Sequence, residues 1–201
     1  MTSSPMAPPV FKGALVSADR LRPGSSVVVF QYNPETLTRT LAARTTGGES
    51  GAGPLRLAGP PDETIKLSVE IDATDQLERG DPLTKSVGIA PALARLELLL
   101  YPASAAVIAN EALAQAGVIE ILPSQAPLTL LIWGARRILP VRVAEFSLTE
   151  EAFDLYLNPI RAKVDLGLKV TTYGDVGLAS AAGALSMAAH VGREVLAGLG
   201  G

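Results

Sequence analysis

Ile65-Lys66-Leu67-Ser68-Val69-Glu70-Ile71-Asp72 alternates apolar and polar residues without a break. A period of two is the side-chain period of a β-strand, so Ile65, Leu67, Val69 and Ile71 share a face that must be buried. Lys66, Ser68, Glu70 and Asp72 share the opposite face, which meets solvent or a partner. One dry face and one wet face is the pattern of an antiparallel sheet, because parallel strands are covered on both sides and read as continuous apolar runs. The same alternation returns near the other end of the chain, where Val164, Leu166, Leu168 and Val170 interleave with Lys163, Asp165, Gly167 and Lys169.

Outward from these two segments, strand-like runs occupy residues 12–17, 25–32, 36–45, 128–134, 138–148 and 162–172. Asn33-Pro34-Glu35 breaks the second run from the third, since proline cannot donate to a ladder and restricts the residue before it. Residues 47–61 form a long loop rich in Gly, Pro and Ser, and residues 150–159 an excursion closed by Asn158-Pro159. A polar loop through Gly80-Asp81-Pro82 leads to a predicted helix over 88–101. There Ile89, Leu93, Leu96 and Leu100 recur at helical spacing, and Pro91 sits in the first turn where its missing N–H costs little. A second helix is predicted over 104–116, capped by Ser104 and stopped by Gly117. Strands bunched on both sides of a helix pair imply an α+β fold, mainly antiparallel, with the sheet rolled toward a barrel or sandwich. The expected organisation is a flexible arm over 1–10, one β-rich domain over 11–173 and an Ala/Gly-rich helical extension over 174–201.

Composition narrows the function classes. The chain has 201 residues, 48% of them hydrophobic and 18% charged, which suits one folded domain rather than disorder. A net charge of −3 argues against general affinity for nucleic acid. There is no cysteine, which excludes disulfides, thiolate nucleophiles and Cys-based metal sites, and the single histidine, His190, excludes a two-His site within one chain. Residues 1–9 lack the basic and apolar regions of a signal peptide, so synthesis and residence in the cytoplasm are expected. Residues 176–192 carry no formal charge, but they are small-residue-rich and interrupted by Gly177, Gly183 and His190. They read as a helix packed on protein and not as a membrane span.

No constellation reads as an active site, and no cofactor or metal is expected. His190 lies in the Ala-rich tail with no nucleophile elbow to serve. Gly47-Gly48-Glu49-Ser50-Gly51 lacks the Lys-Ser/Thr of a phosphate loop. The acidic run Glu70, Asp72, Asp75, Glu78 and Asp81 does not match a calcium loop and reads as a solvated or interface face. Arg136-Arg137 reads as a turn, too small for a nucleic-acid patch. Trp133 and Phe153 are expected in the core.

Several segments taken in order carry more information than any of these. Val29-Phe30-Gln31-Tyr32-Asn33-Pro34-Glu35-Thr36-Leu37 resembles the N-terminal signature of the tube-protein domain of contractile injection systems, the phage-tail-like particles that drive an inner tube through a target envelope. The similarity continues through Gly59-Pro60-Pro61, Glu63-Thr64-Ile65, Glu70-Ile71-Asp72-Ala73-Thr74-Asp75-Gln76-Leu77 and Gly80-Asp81-Pro82. It returns in residues 96–102, Trp133-Gly134, Glu151-Ala152-Phe153-Asp154 and Leu157-Asn158-Pro159-Ile160-Arg161-Ala162, so that it spans about residues 12–172 in the family's order.

What the resemblance implies is a phage-tail-tube-like rolled β-barrel or sandwich with a flanking helix. Such subunits form rings, six to a ring, stacked coaxially on other rings, at the baseplate between a spike-bearing hub and the inner tube. The implied partners are copies of the chain itself, the hub, the inner-tube protein and other baseplate proteins, with neither nucleic acid nor a membrane among them. Phe30, Tyr32, Asn33, Pro34, Asp72, Asp75, Asp81, Trp133, Gly134, Phe153, Asn158, Pro159 and Arg161 are the structural or interface candidates that the matching motifs mark. Asn33-Pro34 and Asn158-Pro159 are expected to shape turns, and Arg161 to pair with Asp154 or with a neighbouring subunit. Some family members add a peptidoglycan-binding module, for which the residues after Thr172 are too few. A main inner-tube subunit and a soluble ligand- or carbohydrate-binding barrel are the alternatives.

Overall fold

The alternating segment lies within an eleven-residue strand, Asp62–Asp72, in which Glu63, Ile65, Leu67, Val69 and Ile71 are all buried. The computed structural model describes residues 11–18, 27–46, 56–117 and 128–200; the 1–10 arm and residues 47–55 of the long loop lie outside them. In chain order the strands are β1 (Ala14–Ser17), β2 (Val27–Val29), β3 (Leu37–Ala42), β4 (Thr45–Thr46), β5 (Arg56–Leu57), β6 (Asp62–Asp72), β7 (Thr129–Ile132), β8 (Ile138–Phe153) and β9 (Pro159–Val170). The helices are α1 (Thr74–Glu78), α2 (Pro82–Val87), α3 (Ala90–Glu97), α4 (Ser104–Gln115), α5 (Tyr173–Val176) and α6 (Ala181–Gly198).

Seven strands make one antiparallel sheet in the order β2-β1-β7-β8-β9-β6-β3, and β4 and β5 make a separate two-stranded ribbon. The α+β, antiparallel expectation therefore holds. Register explains the dry face: Ile65, Leu67, Val69 and Ile71 stand opposite Leu168, Leu166, Val164 and Ala162, so two alternating strands put their apolar sets on the same side.

The sheet, expected to roll toward a barrel or sandwich, is not closed into a barrel. Its edges are β2 and β3, which follow one another in the chain through residues 30–36. A flat sheet would hold these edges about 29 Å apart, and residues 30–36 contain bends at 31, 32 and 35 that shorten their reach. The sheet is accordingly curled, yet β2 offers only three residues and its register pairs them with β1 alone. The inward side of the curl is the core. At the end where β6 finishes, Phe30 and the α3 residues Leu93 and Leu96 plug it; at the end where β6 begins, α6 lies over Leu139 and Val170.

Boundaries differ from expectation in ways that have physical causes. The third run stops at Ala42, and Thr45-Thr46 leaves the main sheet to pair with Arg56-Leu57. The segment 74–87, read as a polar loop, contains α1 and α2, the latter capped by Asp81 with Pro82 in its first turn. The helix predicted over 88–101 is regular only over Ala90–Glu97, and Leu100 is exposed. Ser104 is the first residue of α4, Ala103 holds the cap position, and no side chain caps that end. β8 does not stop at 148 but continues to Phe153, with register shifts at Val143/Glu145, Glu150/Ala152 and Ala152/Phe153.

Candidate functional site

The motif-bearing residues gather in two places. In the first, Asn33 leaves the strand after β2 and its side chain takes over the work of a ladder: Oδ1 accepts from the Gly13 N–H at 2.9 Å and Nδ2 donates to the Phe11 carbonyl at 2.8 Å. Phe30 is fully buried and meets Trp133 with ring centroids 6.4 Å apart in a tilted arrangement. Gly13 passes beneath both rings, and a Cβ there would stand 2.7 Å from Phe30. Gly134 turns the chain with φ 73°. Trp133 packs against the core as expected, while Tyr32 is exposed and Pro34 half-buried.

The second place is the end of the sheet where β6 stops and β9 starts. Asp72 and Arg161 are direct cross-strand partners, and Arg161 Nε donates to Asp72 Oδ2 at 2.7 Å. Arg161 thus pairs with Asp72 and not with Asp154, a choice made by register between strands 89 residues apart. Gln31 binds the backbone of Asp72 in both directions, donating from Nε2 at 2.7 Å and accepting at Oε1 at 3.0 Å. Thr74 N–H donates to Asp72 Oδ1 at 2.6 Å. Burial pushes the Asp72 carboxyl up, but the Thr74 hydrogen bonds and Arg161 outweigh it, leaving the group below the ordinary carboxylate range. Asp81 is held low by Thr84, whose N–H and Oγ1 it accepts at 2.8 and 2.6 Å. Asp75 sits in the first turn of α1, exposed, so the acidic run spreads over three local jobs.

Beside this cluster the β8–β9 hairpin turns back. Asp154 Oδ1 accepts from the Tyr156 and Asn158 N–H groups at 2.7 and 2.8 Å, and Oδ2 accepts from Asn158 Nδ2 at 2.8 Å. Those bonds, the Asn158 side chain first, hold the Asp154 carboxyl low. Leu157 N–H donates to the Asp154 carbonyl at 3.1 Å, and Leu157 adopts φ 64°, the one non-glycine residue in the left-handed region among the described residues. The turn is anchored beneath: Ile89 N–H donates to the Pro159 carbonyl at 2.8 Å and Asn158 Nδ2 to the Ser86 carbonyl at 3.2 Å. Gly88 makes that approach possible, because a Cβ on it would lie 2.0 Å from the Pro159 oxygen and its φ is 58°. Asn158-Pro159 shapes this turn as expected. Phe153 does not enter the core: it is 46% exposed at the end of β8.

At the opposite end stands a residue that local pattern did not single out for a role. Glu63 is 2% exposed on the inward face and is clasped by two arginines, Arg39 of β3 at 2.6 Å and Arg193 of α6 at 2.7 Å. Alternation places Glu63 in phase with Ile65, which was the available signal; its partners come from 24 and 130 residues away. Arg44 joins this end by pairing with both Asp62 and Asp175, each at 2.7 Å. His190 stacks on Tyr173 with centroids 5.9 Å apart and shares a 3.2 Å contact with its hydroxyl.

Chemically these arrangements tie strands and turns together. Among the described residues no group of three or more His, Asp or Glu side chains is placed to hold a metal ion, and no helix is long and apolar enough to cross a membrane. No protein-family model matches the chain, and no curated protein matches it.

Proposed function

We propose that the chain is a non-enzymatic structural protein of a contractile injection system, a ring-forming tube initiator seated between the spike-bearing hub and the inner tube. The observation that carries this reading is the meeting of its motif segments. Gln31, Asp72, Asp154, Asn158 and Arg161 come from four of those segments and are hydrogen-bonded at one end of the sheet. Residues resembling one family's motifs in order therefore act as one structural unit. The curled sheet with two unclosed edges supports the reading further, since a ring subunit leaves backbone groups and apolar surface for its neighbours.

The experiment is the solution mass of the purified chain, alone and with its candidate hub and inner-tube partners. Finite rings, or a monomer that forms them only on the hub, are expected. Long tubes of the protein alone would reassign it as the main inner-tube subunit. A monomer indifferent to both partners would overturn the assignment and restore the ligand-binding module.

A further inference from the structure

The hairpin tip displays what a folded protein ordinarily hides. Leu155 is 98% exposed, Tyr156 84% and Leu157 79%, three consecutive large side chains carried on a turn that hydrogen bonds hold rigid. Exposed apolar groups scattered singly need no explanation, but a contiguous set on a preorganised, strained turn marks a contact surface. Carboxylates flank it: Glu150 and Glu151 are exposed on the hairpin just before the tip.

The opposite end of the molecule holds a groove of about 570 Å³ between α6 and the turn joining β7 to β8. Its floor and one wall are apolar, with Leu139 from the sheet, Leu196 from α6 and Leu199 capping that helix, the last 76% exposed. Its rim is basic: Arg39, Arg136, Arg137 and Arg193 all line it, and no acidic side chain does. Arg39 and Arg193 share the single carboxylate of Glu63, so the rim keeps an excess of positive charge. Tip and groove are complementary in both respects, apolar centre to apolar centre and carboxylate flank to arginine rim.

They belong to one molecule but cannot meet within it. β8 begins at Ile138 beside the groove and ends at Phe153 beside the tip, sixteen residues or about 50 Å away along the strand. We infer that the Leu155-Tyr156-Leu157 tip of one copy docks into the α6 groove of a second copy, with Glu150 and Glu151 facing Arg136 and Arg137. The contact is heterologous, head to tail, and repeats around a closed ring when the rotation between copies divides a full turn. The inference deepens the ring assignment and rests on it for the choice of a second copy as the occupant.

The test is sedimentation of the full chain from low micromolar to near-millimolar concentration at low salt, with three variants. Wild type is expected to form finite oligomers that salt weakens. Leu155→Glu/Tyr156→Ser in the tip and Arg136→Glu/Arg137→Glu in the groove are each expected to weaken assembly at least tenfold while keeping the wild-type circular dichroism. Mixing these two variants should yield one-to-one dimers and nothing larger, because each retains the half the other has lost. Should the groove variant fail to fold, Leu199→Asp at the exposed C-cap of α6 replaces it. Wild type that stays monomeric throughout the range overturns the contact, whatever happens on the hub. Oligomers that ignore both variants overturn this surface and leave the ring assignment standing. Filaments abolished by either variant support the contact and overturn the adaptor.

Discussion

Glu63 concentrates the electrostatics of the fold in one residue. A carboxylate 2% exposed on an apolar face is tolerable only because two guanidinium groups reach it, and the partners are unequal: Arg39 is 29% exposed and Arg193 45%. Removing the acid strands two cations against the core, so Glu63→Ala is expected to cost about 3 kcal/mol, the low end for breaking a buried pair because the arginines reach water. Arg193→Ala leaves Arg39 in place and should cost about 1 kcal/mol. Urea unfolding measures both, and equal losses would show that the clasp is not shared in this way. The aspartates make a second prediction. Asp62 is held well below the usual range by Arg44 and then Lys169; Asp81 and Asp154 are lowered by their turn hydrogen bonds, and Asp72 and Asp175 are lowered despite burial. A carboxyl depressed in the folded state adds stability above its unfolded pKa of about 4, and that stability is lost as pH falls through the folded value. Melting temperature should therefore change little from about pH 7 to 5 and fall below about pH 4, with a shallower fall for Asp72→Asn. A melting temperature that does not fall below about pH 4 would contradict the pairing.

The β8–β9 hairpin shows how far an element can be read before it is seen. β9 was legible because one of its faces is dry along its whole length, which forces the period of two. β8 was legible only to 148: beyond it Glu150, Glu151 and Phe153 are all exposed, so neither face imposes a pattern and the strand resembles a loop. The same loss of contrast misplaced Phe153. The partner of Arg161 was illegible for another reason, since it depends on register between β6 and β9, which no local window contains. Asn33-Pro34 and Asn158-Pro159 were readable as turns because proline acts locally, whereas the packing of Gly88 under Pro159 joins two distant loops. That packing carries the element-scale prediction. Gly88→Ala meets both a positive φ and a carbonyl 2.0 Å away, and should cost about 2 kcal/mol or more while loosening the tip. Gly192→Ala, on α6 with open space around it, should be neutral or stabilise by up to about 1 kcal/mol. Amide exchange at Tyr156 and Asn158 should accelerate in the first variant only; unchanged exchange there would mean that the tip holds its shape without this contact.

At the scale of the molecule the open question for the fold is what replaces barrel closure. A curled sheet with free edges has two open ends, and the inward face carries residues such as Leu139 and Val170 that water would otherwise reach. α3 fills one end from within the β-rich region. The other is covered by α6, drawn from the Ala/Gly-rich stretch that reads as a helix packed on protein without saying where, and fastened through Arg193 to Glu63, Ser186 to the Tyr173 backbone, and Tyr173 to His190. Small residues at 181–189 fit this duty because they let the helix approach the sheet closely, whereas the outward side of residues 191–199 stays apolar and exposed. If α6 is a lid and not an appendage, ending the chain at Gly177 should uncover the inward face and orphan Glu63 beside Arg39 alone. The truncated protein is expected to bind a hydrophobic dye strongly, to unfold at least about 3 kcal/mol more easily, and to lose amide protection in β6 near Glu63 before it loses protection in β6 near Ile71, which α3 still covers. A truncated chain with wild-type stability and no dye binding would show that the curled sheet seals its own end and that α6 serves only its exposed side.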